Sequence, residues 1–130
     1  MRPTIVLVHG AFAGSSSWDF YVAPGSFHDV FCQDLTAAQA ARMAVTQRPA
    51  TQEALVEPSG DRPLWKHLPS CFLIGTEDRI IPPALQRFMA ERAGSRRTVE
   101  VPGASHAAGV SQPGAVVELI REAARVPAAA

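Results

Sequence analysis

The run Cys71-Phe-Leu-Ile-Gly75, set off by Pro69, restricts the possible folds more than any other stretch of this chain. Its residues are apolar or small at every position, with no polar alternation. A strand of that kind is covered on both faces, as in a parallel sheet, whereas a strand with one wet face alternates. Ile5 to Val8, bounded by Pro3 and Gly10, carries the same signature. Thr98-Val-Glu-Val101, stopped by Pro102-Gly103, gives a shorter third strand.

Parallel strands need a crossover, and the segments between and after these strands supply helices. Pro82-Pro83 opens the run ALQRFMAERAG, in which Leu85, Phe88, Met89 and Ala93 fall on one helical face and Gly94 supplies the stop. Ser111-Gln-Pro113 reads as a serine cap with proline near the first turn of a final helix, whose apolar side is Val116, Val117, Leu119, Ile120 and Ala124. The tail from Val126 to Ala130 is expected to fray. The second half of the chain is therefore a βαβα unit.

Residues 20–69 read differently. Pro24-Gly25 marks a turn, an aromatic and polar stretch SFHDVFCQDL follows, and an Ala-rich helix runs from about Thr36 to Gln47. A loop with Pro49, Pro58-Ser-Gly60 and Pro63 completes the segment, and no strand is legible in it. The expected architecture is α/β, with a small, mainly parallel three-stranded sheet, flanking helices and a helical insert.

At 130 residues the chain is one domain. Twelve Lys and Arg balance twelve Asp and Glu, with no run of like charge, so the electrostatic footprint of a nucleic-acid binder is absent. The expected partner is a small molecule or another protein. The apolar run near the N-terminus is far too short for a signal peptide or a membrane span, so a cytoplasmic protein without membrane contact is expected. Cys32 and Cys71 form no C-x-x-C pattern and have no histidine at metal-ligand spacing. Two free thiols, no metal and no cofactor are expected.

Two residues carry chemistry by position. Asp78 follows the Cys71–Gly75 strand in a loop that enters a proline-started helix, at the carboxyl edge where α/β sheets gather reactive groups. His106 lies in a Gly- and Ala-rich loop after the next strand, at the same edge. Taken singly, Asp78 reads equally as a turn aspartate and His106 as a solvated loop histidine. Adjacent parallel strands bring the two within hydrogen-bonding reach, which makes half of a nucleophile–base–acid triad. Glu77 is the weaker competitor for the acid.

These segments resemble an α/β-hydrolase of the esterase and hydroxynitrile-lyase-like branch. LVHGAFAGSSSW is similar to that family's oxyanion strand and loop, IGTEDRIIPPALQRFMAERAG to its acid-bearing segment, and VEVPGASHAAGVSQPGAVVELI to its histidine segment. The stretch from FHDVFCQDLTAAQAARMAVTQRP to about Lys66 resembles its helical cap. The resemblance implies one incomplete hydrolase domain over 1–130, with oxyanion strand and loop in 1–19, cap-like insert in 20–69, and acid and histidine segment in 70–126. It implies that the N–H of Ala11, behind His9-Gly10, is an oxyanion donor, that Asp78 is the acid and that His106 is the base. Gly10, Ala11 and Phe12 then form the oxyanion and substrate-binding loop, and Phe12 and Trp18 read equally as pocket lining or plain core.

The family's serine sits on a G-x-S-x-G turn, and no such motif occurs in this chain. The sequence passes from the oxyanion loop straight into the cap near Phe20 to Ser26, as though the block with the nucleophile strand and elbow had been removed. Gly103-Ala-Ser105-His-Ala107 is a degenerate elbow with no histidine after it, and Ser15, Ser16 and Ser17 most simply cap a helix near Trp18. Three readings stand: an esterase-type hydrolase of small carbonyl or ester substrates, weak or inactive as this chain alone; a non-catalytic remnant or binding module; and a site completed by a separate chain.

The gap also leaves strand edges without their family neighbours, and exposed apolar edges pair with other chains. Self-association through those edges is the expectation. Light scattering over a dilution series checks it: a monodisperse mass near 13.9 kDa at every concentration rules it out.

Overall fold

The computed structural model describes residues 19–20, 22–48, 50–51 and 56–125. The expected strand Ile5–Val8, the loop with Gly10, Ala11 and Phe12, and the tail from Val126 lie outside them.

Helix α1 (Pro24–Phe31) and helix α2 (Ala37–Thr46) pack together at the start of the described chain. The expected turn at Pro24-Gly25 is a correction: Pro24 is the first residue of α1, where a missing N–H costs nothing and the fixed φ suits the helix. Thr36 caps α2 through a reciprocal box, its Oγ1 accepting from the Gln39 N–H and its own N–H donating to the Gln39 side chain. At the far end Gln47 serves as a backbone substitute. Its amide donates to the carbonyl oxygens of Val22 and Ala44 and accepts from the Val22 N–H, tying the start of α1 to the end of α2.

A two-residue antiparallel pair, β1 (Asp19–Phe20) with β2 (Ala50–Thr51), brackets these helices. The sequence reading expected no strand between residues 20 and 69, and two-residue strands are too short for any periodicity to show. The helices enclose an apolar cluster of Phe27, Cys32, Ala40 and Ala44, joined by Ala107 from the other half of the chain.

That other half is the βαβα unit. Strand β3 (Cys71–Gly75) runs parallel to β4 (Arg97–Val101), with Cys71 opposite Arg97 and Gly75 opposite Val101. Helix α3 (Pro83–Arg92) crosses between them, started by Pro83. It is stopped by Gly94 at φ +60, with the Gly94 N–H on the Glu91 carbonyl and the Ser95 N–H on the Ala90 carbonyl. That pair of bonds is a Schellman closure, and it is why glycine stands there. The short helix α4 (Ala108–Ser111) and the long α5 (Pro113–Arg125) follow.

Two expectations are corrected here, and a third is not tested. Among the described residues the parallel sheet has two strands, and the residues of the expected third, Ile5–Val8, are not among them. Ser111 ends α4 and donates its hydroxyl to the Ala107 carbonyl, where a cap for the last helix was expected. The inner face of α3 is rotated from the expected one: Ala90 is buried and Met89 and Ala93 are half-buried, while Leu85 and Phe88 are exposed. On α5 Leu119 is buried and Val117 exposed. Cover is complete only at the carboxyl end of β3, where Ile74 and Gly75 are buried and Cys71, Phe72 and Leu73 are half-buried. Both cysteines are free thiols.

Gly75 marks the tightest packing. A Cβ at this position would lie 2.5 Å from the carbonyl oxygens of both Ala104 and Ser105. Both are main-chain atoms and cannot swing aside as a side chain can. Gly75→Ala is expected to cost about 3 kcal/mol or more, the upper range for an overpacked site, read as a lowered urea midpoint. A variant as stable as wild type shows that the loop carrying Ala104 and Ser105 is free to retreat.

Candidate active site

Beyond the ends of β3 and β4 the two chains stay zipped. The Thr76 N–H donates to the Val101 carbonyl at 3.1 Å, and the Glu77 N–H donates to the Ala104 carbonyl at 3.0 Å. The Gly103 N–H, in a turn with φ +74, donates back to Thr76 Oγ1 at 2.9 Å. The loops that carry Asp78 and His106 are therefore a continuation of the parallel ladder, and each side chain inherits the register of its strand.

Asp78 is buried, and all its acceptor positions point at donors. Oδ1 accepts from the N–H groups of Ile80 and Ile81 at 2.8 and 2.9 Å, a turn closed by the carboxylate itself. Oδ2 accepts from Gln86 Nε2 of α3 at 2.8 Å and from His106 Nδ1 at 2.8 Å. A carboxylate surrounded by N–H donors has only acceptor capacity to offer, so Nδ1 of His106 bears the proton and Nε2 carries the free lone pair. Glu77, the competing carboxylate, is exposed. The structure thus brings together Asp78 and His106, with the His106 side chain 16% exposed.

The segment that leaves α1 reaches both loops. The Phe31 ring stands edge-on to the His106 imidazole, 4.7 Å between centroids, and stacks on Phe27 at 4.8 Å. The Phe31 carbonyl accepts from the Ala107 N–H at 3.0 Å. Gln33 Nε2 donates to the Glu77 carbonyl, and Arg79 donates to the Asp29 carbonyl. Asp34 Oδ2 accepts from the Ser105 N–H at 3.1 Å. None of these four hydrogen bonds, nor the Phe31–His106 contact, is legible in the sequence, because each joins residues far apart in the chain, and only the aromatic content of FHDVF points to Phe31.

Ser105 is not presented as a nucleophile. It is fully buried, and its hydroxyl accepts from the Ala107 N–H at 3.0 Å, inside its own turn. Cys32 is also fully buried, and burial, helped by the charge of Asp34, pushes its thiol up from the ordinary value. A thiol so placed is a poor nucleophile. For Asp34, burial opposes ionisation, but the hydroxyls of Ser105 and Ser111 and the Ser105 N–H outweigh it and hold the carboxyl below its ordinary value.

Beside Phe31 opens an apolar cavity of about 250 Å³, lined by Phe27, Phe31, Met43, Thr46, Gln47 and Arg48. Phe31 is the wall shared by this cavity and His106. The remaining candidates, Gly10, Ala11, Phe12 and Trp18, and the serines Ser15, Ser16 and Ser17, lie outside the described residues. Among the described residues no group of three His, Cys, Asp or Glu is placed to hold a metal ion, and no helix is long and apolar enough to cross a membrane.

A parallel strand pair that delivers an aspartate and a histidine at its carboxyl edge, with a helical insert packed over them, is the arrangement of an α/β hydrolase. The alpha/beta hydrolase family model matches residues 26–119, and the chain belongs to that family. Among solved structures it is similar to polyneuridine aldehyde esterase, at 17% identity and a TM-score of 0.66. A histidine-to-alanine variant of that esterase matches at 16% identity and a TM-score of 0.66. Each match covers 78% of this chain and 41% of the other, so the chain spans about two fifths of the length of these structures. No curated protein matches the sequence.

The lowered value of Asp34 ties stability to pH with a definite sign. As pH falls, the unfolded chain takes up this proton first, at the ordinary 3.8, so the stabilisation is complete above that value and is lost as pH falls through the lower folded one. Asp34→Asn is expected to flatten the acid limb of the stability curve below about pH 4, measured by urea unfolding at a series of pH values. Identical slopes for variant and wild type show that the carboxylate gains nothing on folding.

Proposed function

We propose that this chain carries the acid–base half of a carboxylic-ester hydrolase site, acting on a small ester or related carbonyl substrate. The observation that carries the reading is the 2.8 Å hydrogen bond from His106 Nδ1 to an Asp78 carboxylate whose other positions are filled by Ile80, Ile81 and Gln86. Asp78 fixes the tautomer and stabilises the imidazolium. Nε2 of His106 then accepts the proton of an attacking hydroxyl or water and returns it to the leaving alkoxide, so protons balance over the cycle. The apolar cavity beside Phe31 suits a compact hydrocarbon group of the substrate. The expected oxyanion loop around Gly10, Ala11 and Phe12 belongs to this reading through family resemblance.

The chain contains no G-x-S-x-G elbow, and the residue after the elbow serine normally supplies one oxyanion N–H. Loss of the nucleophile in a serine hydrolase costs on the order of a million-fold in rate. Weak or absent turnover by this chain alone follows. The missing elbow also favours a second reading, a small-molecule-binding module that keeps the cavity and the pair without the reaction.

Hydrolysis of a nitrophenyl acetate ester by wild type and His106→Ala separates the two. A rate ratio within about tenfold, equivalent to ~1.4 kcal/mol of barrier, is the expected result for the chain alone. A ratio in the hundreds, with stoichiometric labelling by a fluorophosphonate seen in intact mass, establishes a serine nucleophile and a working hydrolase.

A further inference from the structure

Asp34 has no part in the pair just described, yet it is bonded to the turn that carries the histidine. Its Oδ2 accepts from the Ser105 N–H at 3.1 Å, and Ser105 directly precedes His106. Its Oδ1 is enclosed with no aligned donor of its own, although the Ser105 and Ser111 hydroxyls lie close enough to favour the charge. The next amide, Ala107 N–H, is shared between the Ser105 hydroxyl and the Phe31 carbonyl, both at 3.0 Å. His106 is thus flanked by two main-chain N–H groups, both gripped from the segment Phe31–Asp34. The same segment holds the acid loop, through Gln33 on the Glu77 carbonyl at 2.6 Å, and lays the Phe31 ring against the imidazole.

We propose that Asp34 is a positioning residue for His106, acting through Ser105 to hold the histidine turn so that the imidazole stays on Asp78 and beneath the edge of Phe31. The proposal rests on the reading of Asp78 and His106 as a working acid–base pair. It assigns the post-α1 segment a task beyond covering the site: the turn after Val101 makes its last sheet-like bond at Ala104, and at Ser105 and Ala107 its main-chain N–H groups are bonded to the insert. Removal of the Asp34 carboxylate leaves the buried Ser105 N–H without a partner, and a buried unpaired donor seeks another arrangement. The nearest available movement is rotation of the turn, which carries His106 off Asp78.

Nitrogen-15 NMR of protein labelled at histidine tests this without any need for turnover. Wild type is expected to show a His106 Nδ1–H proton resonance far downfield, protected by the bond to Asp78. In Asp34→Ala that resonance is expected to vanish or to exchange with solvent more than about tenfold faster, as for a locally opened bond, while far-ultraviolet circular dichroism and cooperative melting persist. Asp34→Asn, which keeps an acceptor oxygen for Ser105, is expected to restore it. If Asp34→Ala does not fold, Asp34→Glu decides, because the extra methylene moves the oxygens and is expected to broaden the same resonance. A resonance unchanged in folded Asp34→Ala, or in Asp34→Glu, overturns the proposal and leaves the pair intact. A wild type without the resonance overturns the pair itself, and the proposal falls with it.

Discussion

The close approach of two main chains at Gly75 is the constraint on which the rest of the site depends. With a 2.5 Å gap between its virtual Cβ and two carbonyl oxygens, the end of β3 lies directly against the histidine turn. That contact lets the ladder continue past the strand ends through Thr76, Glu77 and Gly103. Side chains three positions beyond Gly75 and five beyond Val101 then face each other with little freedom left to lose. Burial of Asp78 is tolerated because its four donors replace the water it gives up, whereas an unpaired buried carboxylate would cost several times more than any single hydrogen bond returns.

The insert helices stabilise the same region from the opposite side. Ala107 belongs to the histidine turn yet sits in the apolar cluster of Phe27, Cys32, Ala40 and Ala44, so burial of the insert and closure of the turn are one packing event. The small side chains matter here. All four cluster members other than Phe27 are alanine or cysteine, which lets main chains approach closely enough for the Ala107 N–H to reach the Phe31 carbonyl.

Much of the α/β unit was legible in the sequence because its signals are local. The apolar run at Cys71–Gly75, Pro83 and Gly94 around the crossover helix, and the loop positions of Asp78 and His106 each depend on neighbours within a few residues. What failed depended on partners. Pro24-Gly25 reads as a turn until the helix after it is known, and the two-residue pairing of Asp19–Phe20 with Ala50–Thr51 has no periodicity to detect. Leu85 and Phe88 do lie near one another on a helix, but which face a helix buries is set by what it packs against. Phe31, Gln33 and Asp34 act across separations of more than forty residues, so their roles were invisible to any window.

Cys32 gives the architecture a kinetic signature. The residue caps the end of α1 through its backbone N–H, and its thiol, fully buried, is disfavoured as thiolate by burial and by Asp34. A reagent in solvent therefore meets it only when the α1–α2 insert lifts from the histidine turn. The half-buried Cys71, on the strand, has no such gate. The ratio of the two modification rates consequently works as a clock for opening of the insert, reporting how often the cover of the site leaves it without any ligand or reaction to observe.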